Sequence, residues 1–291
     1  MRTVTDNLQE MVEGIQKLLD DLLLNHSSIY KWNKPGGPIG IISVHGDYAY
    51  QELGEAGWQI QSKALEEYRR FYALLNVLLK DQPKDSLELL SNSDTVLMRT
   101  IEQQHTWCKN TQEALDKAVE ALQAQLDLLK HLYDSSSGEA AYVPDTNALL
   151  YNPALETWTF QETPRFTLIL VPAVLSELDA LKINHRNETV RRKAEKLIRQ
   201  IKEYRRRGNL TEGVPVIKDK IDIVGIATEP SMETSLLWLD PENNDDRFLA
   251  AVIEVMRSRP RSPVIIVSRD INLQNKAEFA RIPFVEPPEP A

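Results

Sequence analysis

Apolar residues in the first part of the chain recur at intervals of three and four. Leu8, Met11, Val12, Ile15, Leu18, Leu19, Leu22 and Leu23 fall along one side of a helix, which predicts an amphipathic helix with a buried face. The pattern breaks after Asn25, where NHSSIYKWNKPGGPIG gathers Pro35, Gly36, Gly37 and Pro38, and it resumes from about Tyr48 to Lys80. Pro83 interrupts it again. From about Ser86 to Tyr133 the spacing predicts a third helix and room for a fourth, with Leu115, Ala118, Val119, Leu122, Leu126 and Leu129 as its clearest stripe. Residues 1–134 therefore read as an all-α helical bundle domain.

A different pattern follows the small polar run DSSSGE. Short apolar runs (AAYV, TLILV, KIDIVGIA and PVIIVS) alternate with helical stretches, which predicts an α/β domain around a mainly parallel sheet. The expected organisation is a bundle over 1–134, a linker over 135–139 and the α/β domain over 140–291.

Composition narrows the function classes. The formal charge of −9 over 291 residues argues against a chain-wide attraction to nucleic acid, so any basic patch must be local. Cys108 is the only cysteine, which excludes an intrachain disulfide and a cysteine-rich zinc site. His105 shares a helical face with it, but further soft ligands are lacking. No apolar run approaches the roughly 18 residues of a membrane span. The first residues carry acids and glutamines where a signal peptide has a basic start and an apolar run, so a cytoplasmic location is expected. KPGGPIG lacks the lysine and hydroxyl context of a phosphate-binding loop and reads as a turn. Trp32, Trp58 and Trp107 read as packing aromatics rather than as stacking surfaces.

Candidate chemistry lies in four acids of the α/β half. Ligands of open parallel sheets bind beyond the carboxyl ends of the strands, and Asp145 and Asp270 each stand where a strand gives way to a helix. Taken singly, each is more often a helix N-cap. Glu177 shares a helical spacing with Ala173, Val174 and Leu181, and Asp246 with Leu249, Ala250 and Ile253, so both are expected to face the core side. A carboxylate turned inward is costly unless it is paired or binds a metal. Glu177 pairing with Lys182 and Asp246 capping its helix are the structural alternatives. Four oxygen ligands from two strand ends and two helices suit Mg²⁺ or Mn²⁺, an ion able to activate water and stabilise charge on a phosphodiester.

At these residues the sequence resembles the PIN-domain family, over roughly Ala140 to Val285. YVPDTNALL is similar to the family's opening strand and first acid, Asp145, with Asn147 nearby. VPAVLSELDALK is similar to the second motif and supplies Glu177. NNDDRFLAA resembles the third, in which an acid precedes a hydrophobic residue by three positions; this points to Asp246, with Asp245 as the adjacent candidate. VIIVSRDINLQNKA resembles the fourth, giving Asp270 with Ser268 and Asn272 as supporting polar groups. The resemblance implies an α/β/α sandwich and a metal-dependent endoribonuclease, with Asp145, Glu177, Asp246 and Asp270 as catalytic metal ligands and RNA, single-stranded or structured, as substrate. Some members of the family serve as scaffolds, so an RNA- or protein-binding module without catalysis is the alternative.

The substrate has an independent pointer. Between Lys182 and Arg207 stand eleven bases and three acids. Ala194, Leu197, Ile198 and Ile201 form a buried stripe, which predicts a surface helix whose Arg191, Arg192, Lys196 and Arg199 contact RNA phosphates; a merely solvated face is the plainer reading. The helical half, with 13 bases against 20 acids, is expected to engage a protein partner or a second copy of the chain instead.

Overall fold

A computed structural model of the chain describes residues 2–32, 46–133, 138–161 and 163–290. The KPGGPIG segment and most of the expected linker lie outside the described residues. The chain divides into two compact units, Leu8–His131 and Met1–Asn7 with Leu132–Ala291.

The helical unit follows its apolar stripes. Helix α1 (Val4–Asp20) buries Leu8, Met11, Val12, Ile15 and Leu19, and a π-helical turn over Asp21–Asn25 buries Leu22 and Leu23. The expected helix from Tyr48 begins later. Tyr48–Tyr50 is instead a strand, β2, antiparallel to β1 (Ile29–Lys31), because Ala49 turns inward between two tyrosines in the alternating pattern of a strand. Helix α2 (Glu55–Leu79) starts after Gly54; α3 (Lys84–Ile101) and α4 (Thr111–Leu132) complete the unit. A buried polar link crosses the three: Tyr68 Oη donates to Asp94 Oδ1 at 2.9 Å and accepts from Gln125 Nε2 at 3.0 Å. Trp58 and Trp107 depart from expectation, being 52% and 55% exposed. Trp58 lies off the buried line of Gly57, Gln61 and Ala64, and Trp107 sits in the connection between α3 and α4.

The C-terminal unit is built on a mainly parallel six-stranded sheet with interleaved helices. In chain order its elements are β3 (Ala140–Pro144), α5 (Thr146–Tyr151), β4 (Phe166–Leu170), α6 (Pro172–Asn184), α7 (Glu188–Arg207), β5 (Val214–Ile217), β6 (Ile221–Gly225), α8 (Asn244–Ser258), β7 (Val264–Val267), α9 (Ile271–Phe279) and β8 (Phe284–Val285). Every residue of β3, β4 and β7 is buried. Successive strand residues point to opposite faces, so both faces of the sheet centre are covered, as an α/β/α sandwich requires. The edge strands β5 and β8 were not expected. β5 is short, contains Pro215 and pairs antiparallel with β6, and β8 has only two residues.

Strand order places the site. The sheet runs β5-β6-β4-β3-β7-β8, so the chain leaves β3 toward β4 on one side, and β7 later docks on the other. The connections that follow β3 and β7 thus diverge, opening a crevice at the carboxyl ends of these two strands. No helix among the described residues is long and apolar enough to cross a membrane.

Candidate functional site

Asp145 and Asp270 flank this crevice. Pairing of Pro144 with Val267 brings the strand ends level, and the Asp145 N–H donates to the Val267 carbonyl at 3.0 Å. Asp145 caps α5, its Oδ1 accepting from the Ala148 N–H at 2.6 Å. Its Oδ2 accepts from the Ser268 hydroxyl, and Ser268 Oγ in turn accepts the Asp270 N–H at 3.0 Å. Asp270 caps α9 through Oδ1, which takes the N–H groups of Asn272 and Leu273, while Oδ2 accepts a 3.4 Å bond from the Asn147 amide. Both acids are therefore N-caps as well as neighbours across the crevice. Ser268 bridges them, and Asn272 contributes its backbone.

Glu177 is placed otherwise than expected. Val174 and Leu178 form the buried line of α6, and Glu177 lies about 100° around the helix from Leu178, which leaves it exposed. Its Oε2 accepts a 2.6 Å bond from Thr146 Oγ1, next to Asp145. Lys182 does not pair with it, bonding to Asp179 at 3.3 Å.

The electrostatics of the three acids are coupled. Asp145 is only 6% exposed, and burial pushes its carboxyl up to about 6, while the bonds from Ser268 and Ala148 work to lower it and the carboxylates of Asp270 and Glu177 raise it further. Among the described residues none of the three has a Lys or Arg partner within ion-pair distance. Their chemistry suits a hard divalent cation, which takes carboxylate oxygens and relieves mutual repulsion. As they stand, however, no three such groups among the described residues are gathered closely enough to hold an ion.

Asp246 is buried beside Leu249, Ala250 and Ile253 as expected, but its charge is paired within the protein. Oδ2 accepts the Asp240 N–H at 3.0 Å, and Oδ1 lies 2.7 Å from Lys276 Nζ. Asn243 caps α8, taking the N–H groups of Asp245 and Asp246. Asp245 is a looser partner of the same lysine, at 3.6 Å. No bond joins Asp246 to the other three acids among the described residues. Thr146 and Lys276 escaped the sequence reading: Thr146 is signalled only by standing next to Asp145, and a lone lysine in a short helix carries no signal at all.

The basic stretch is α7. Its buried line is Ala194, Leu197, Ile198, Ile201 and Tyr204. Arg192 and Arg199 each pair with a glutamate one turn earlier, Glu188 and Glu195, and Arg191 donates to the His185 carbonyl. Lys196 is exposed and has no acidic partner among the described residues. Lys193 Nζ donates to the Leu150 carbonyl at 2.9 Å, tying α7 to the helix capped by Asp145.

Residues 142–286 match the PIN domain family, and the C-terminal portion of the chain is a PIN domain. Members of this family are typically metal-dependent nucleases that bind Mg²⁺ or Mn²⁺. No curated protein matches the chain.

The raised Asp145 carboxyl predicts a pH dependence whose sign can be worked out. The unfolded chain releases this proton near pH 4, whereas the folded state holds it to about 6. Between these values the native state binds more protons, so this group's contribution falls as pH rises, by about 3 kcal/mol in all. In thermal melts without metal, Asp145→Asn is expected to gain stability over wild type between pH 4 and 7. A difference between the two proteins that stays flat across that range would refute the assignment.

Proposed function

We propose that this PIN domain is a divalent-metal-dependent endoribonuclease, with Asp145, Glu177, Asp246 and Asp270 as its site acids. The observation that carries the reading is Asp145 and Asp270 at the carboxyl ends of β3 and β7, with Glu177 on α6 bonded to the neighbouring Thr146, none of them with a Lys or Arg partner among the described residues, in a family of typically metal-dependent nucleases. Asp145, Asp270 and Glu177 would hold Mg²⁺ or Mn²⁺, with Asp246 completing the rim of the site. When bound, the ion supplies an activated water and positive charge facing the phosphodiester.

The protein's own groups do the positioning. Asp145 is fixed from both sides by Ala148 N–H and the Ser268 hydroxyl, so its oxygens have little freedom to rotate. Asp270 is aimed by the first turn of α9, and Ser268 couples its backbone to Asp145. Catalysis on this plan is orientation and electrostatic stabilisation, with no covalent enzyme intermediate.

RNA as substrate draws support from α7. Intrahelical ion pairs at an exposed surface are worth little, so the guanidinium groups of Arg192 and Arg199 remain available to phosphates along with Lys196. Trp238 and Phe279, both exposed, meet edge to face with ring centres 5.3 Å apart, a surface suited to an unpaired base. Trp238 lies two residues before Asp240, whose N–H bonds to Asp246. Residues 1–134 serve a protein partner or self-association on this reading, and the cytoplasm is the proposed location.

A second reading has one observation in its favour: Asp246 is already neutralised by Lys276, as in a scaffold that no longer needs a metal there. Turnover decides between the two. Purified protein incubated with RNA and Mn²⁺ or Mg²⁺ is expected to cleave it, with a loss of at least about a hundredfold in Asp145→Asn and Asp270→Asn. Cleavage undiminished in both variants, or absent from wild type, would sink the nuclease assignment.

The role of α7 has a separate check. Replacing Arg192, Lys196 and Arg199 together by Gln is expected to weaken single-stranded RNA binding and to flatten the dependence of log K on log salt by about 2, three lost phosphate contacts at roughly 0.7 each. Because all three side chains are exposed, the melting temperature should hardly move. An unchanged salt slope would return the helix to being a solvated face.

A further inference from the structure

The ammonium of Lys276 is surrounded as a bound cation would be. Its Nζ lies 2.7 Å from Asp246 Oδ1, 3.1 Å from Asn243 Oδ1 and 3.6 Å from Asp245 Oδ2. Asn243 is the N-cap of α8, and the two acids lie in its first turn. A carboxamide oxygen and two carboxylates are the donor types of a hard divalent site. The Asp246 side chain is 7% exposed and that of Lys276 27%, so this pair is largely withdrawn from water.

The contrast with the Asp145 side of the site is one of charge. There, Asp145, Glu177 and Asp270 lie near one another at the end of β3 and have no Lys or Arg within ion-pair distance among the described residues. Here, two carboxylates share a positive charge supplied by the chain. An ammonium and a divalent ion cannot share one shell of oxygens, since like charges a few ångströms apart repel by several kcal/mol even at a protein-like effective dielectric. Entry of metal at Asp246 would first have to expel Lys276.

We propose that Lys276 is the resident cation of the Asp245/Asp246 corner, so that the chain admits a divalent ion beside Asp145 and none beside Asp246. The lysine thereby takes the place of the second ion in a two-metal arrangement, offering a fixed positive charge where such an ion would sit. The chain length fits this duty. Lys276 springs from the middle of α9, whose N-cap is Asp270, so one short helix carries an acid of the metal-accepting side at its start and the cation of the other side a turn and a half later. This inference rests on the metal-dependent reading of the Asp145 side, and its test keeps the two apart.

The measurement is the number of Mn²⁺ ions bound per full-length chain at neutral pH, by calorimetry or by the electron paramagnetic resonance of free Mn²⁺, for wild type, Lys276→Met and Asp246→Asn. Lys276→Met is expected to bind one ion more than wild type, and Asp246→Asn the same number as wild type. Equal, non-zero numbers for wild type and a folded Lys276→Met, or the loss of one ion on Asp246→Asn, would overturn the proposal while leaving the nuclease reading intact, and no ion in either protein would overturn both. No ion in wild type and one in Lys276→Met would support the lysine's role and refute metal binding beside Asp145. Should Lys276→Met fail to fold, the Asp246→Asn count decides alone.

Discussion

The parallel pairing of β3 with β7 is the constraint on which the PIN domain's chemistry turns. It sets Pro144 level with Val267, so the next residue on one strand, Asp145, meets the next on the other, Ser268. Two connections leave this point in different directions, and the helix that begins on each side needs an N-cap. Carboxylates meet that need by accepting orphan N–H groups, which is a structural reason for acids at both places. The same geometry forces the acids together. A cap that would be harmless alone becomes, in a pair and under burial, a concentration of negative charge.

The two sides of the site resolve this charge differently. Burial disfavours the ionised form of Asp145, a cost that a cation from outside the chain would relieve. Asp246 is as deeply buried but has Lys276 and a backbone N–H beside it, so its partners come from the chain itself. Breaking such a buried pair by removing one partner strands a charge, whereas Asp145, Asp270 and Glu177 have no Lys or Arg partner to lose among the described residues. The asymmetry gives the site a fixed pole and an open one.

Much of this was legible in the residue pattern, for physical reasons that differ by element. The central strands announce themselves as short apolar runs because both faces of β3, β4 and β7 are covered. Asp145 and Asp270 stand out because a strand ending in an acid is a local signal. Helix α7 is legible because its buried line and charged face separate cleanly along the sequence. Glu177 was misplaced since α6 is short and only Val174 and Leu178 are buried, too few points to fix which way the helix is turned. Tyr48–Tyr50 reads as helix in the sequence because three residues cannot establish a period of two against a period near four, and partners distant in sequence, Ile29–Lys31 and Thr106, make it a strand. Lys276 was invisible for a similar reason: its partners lie some thirty residues away, and no local pattern records a contact made by folding.

Charge distribution carries the remaining step, from a metal site to a polyanionic substrate. The chain is acidic, at −9, and its first 134 residues hold 13 bases against 20 acids, so long-range attraction to RNA is weak. At physiological salt, fields fade within about 8 Å, which means the substrate responds to what lies beside the cleft and not to the net charge. Helix α7 packs against α6, which bears Glu177, and is tied through Lys193 to the end of the helix capped by Asp145. A phosphate chain drawn to α7 is thereby brought to the elements that carry the open pole. On the proposed function, its approach to three carboxylates that have no Lys or Arg partner among the described residues is unfavourable until a cation intervenes, so productive binding would require the metal.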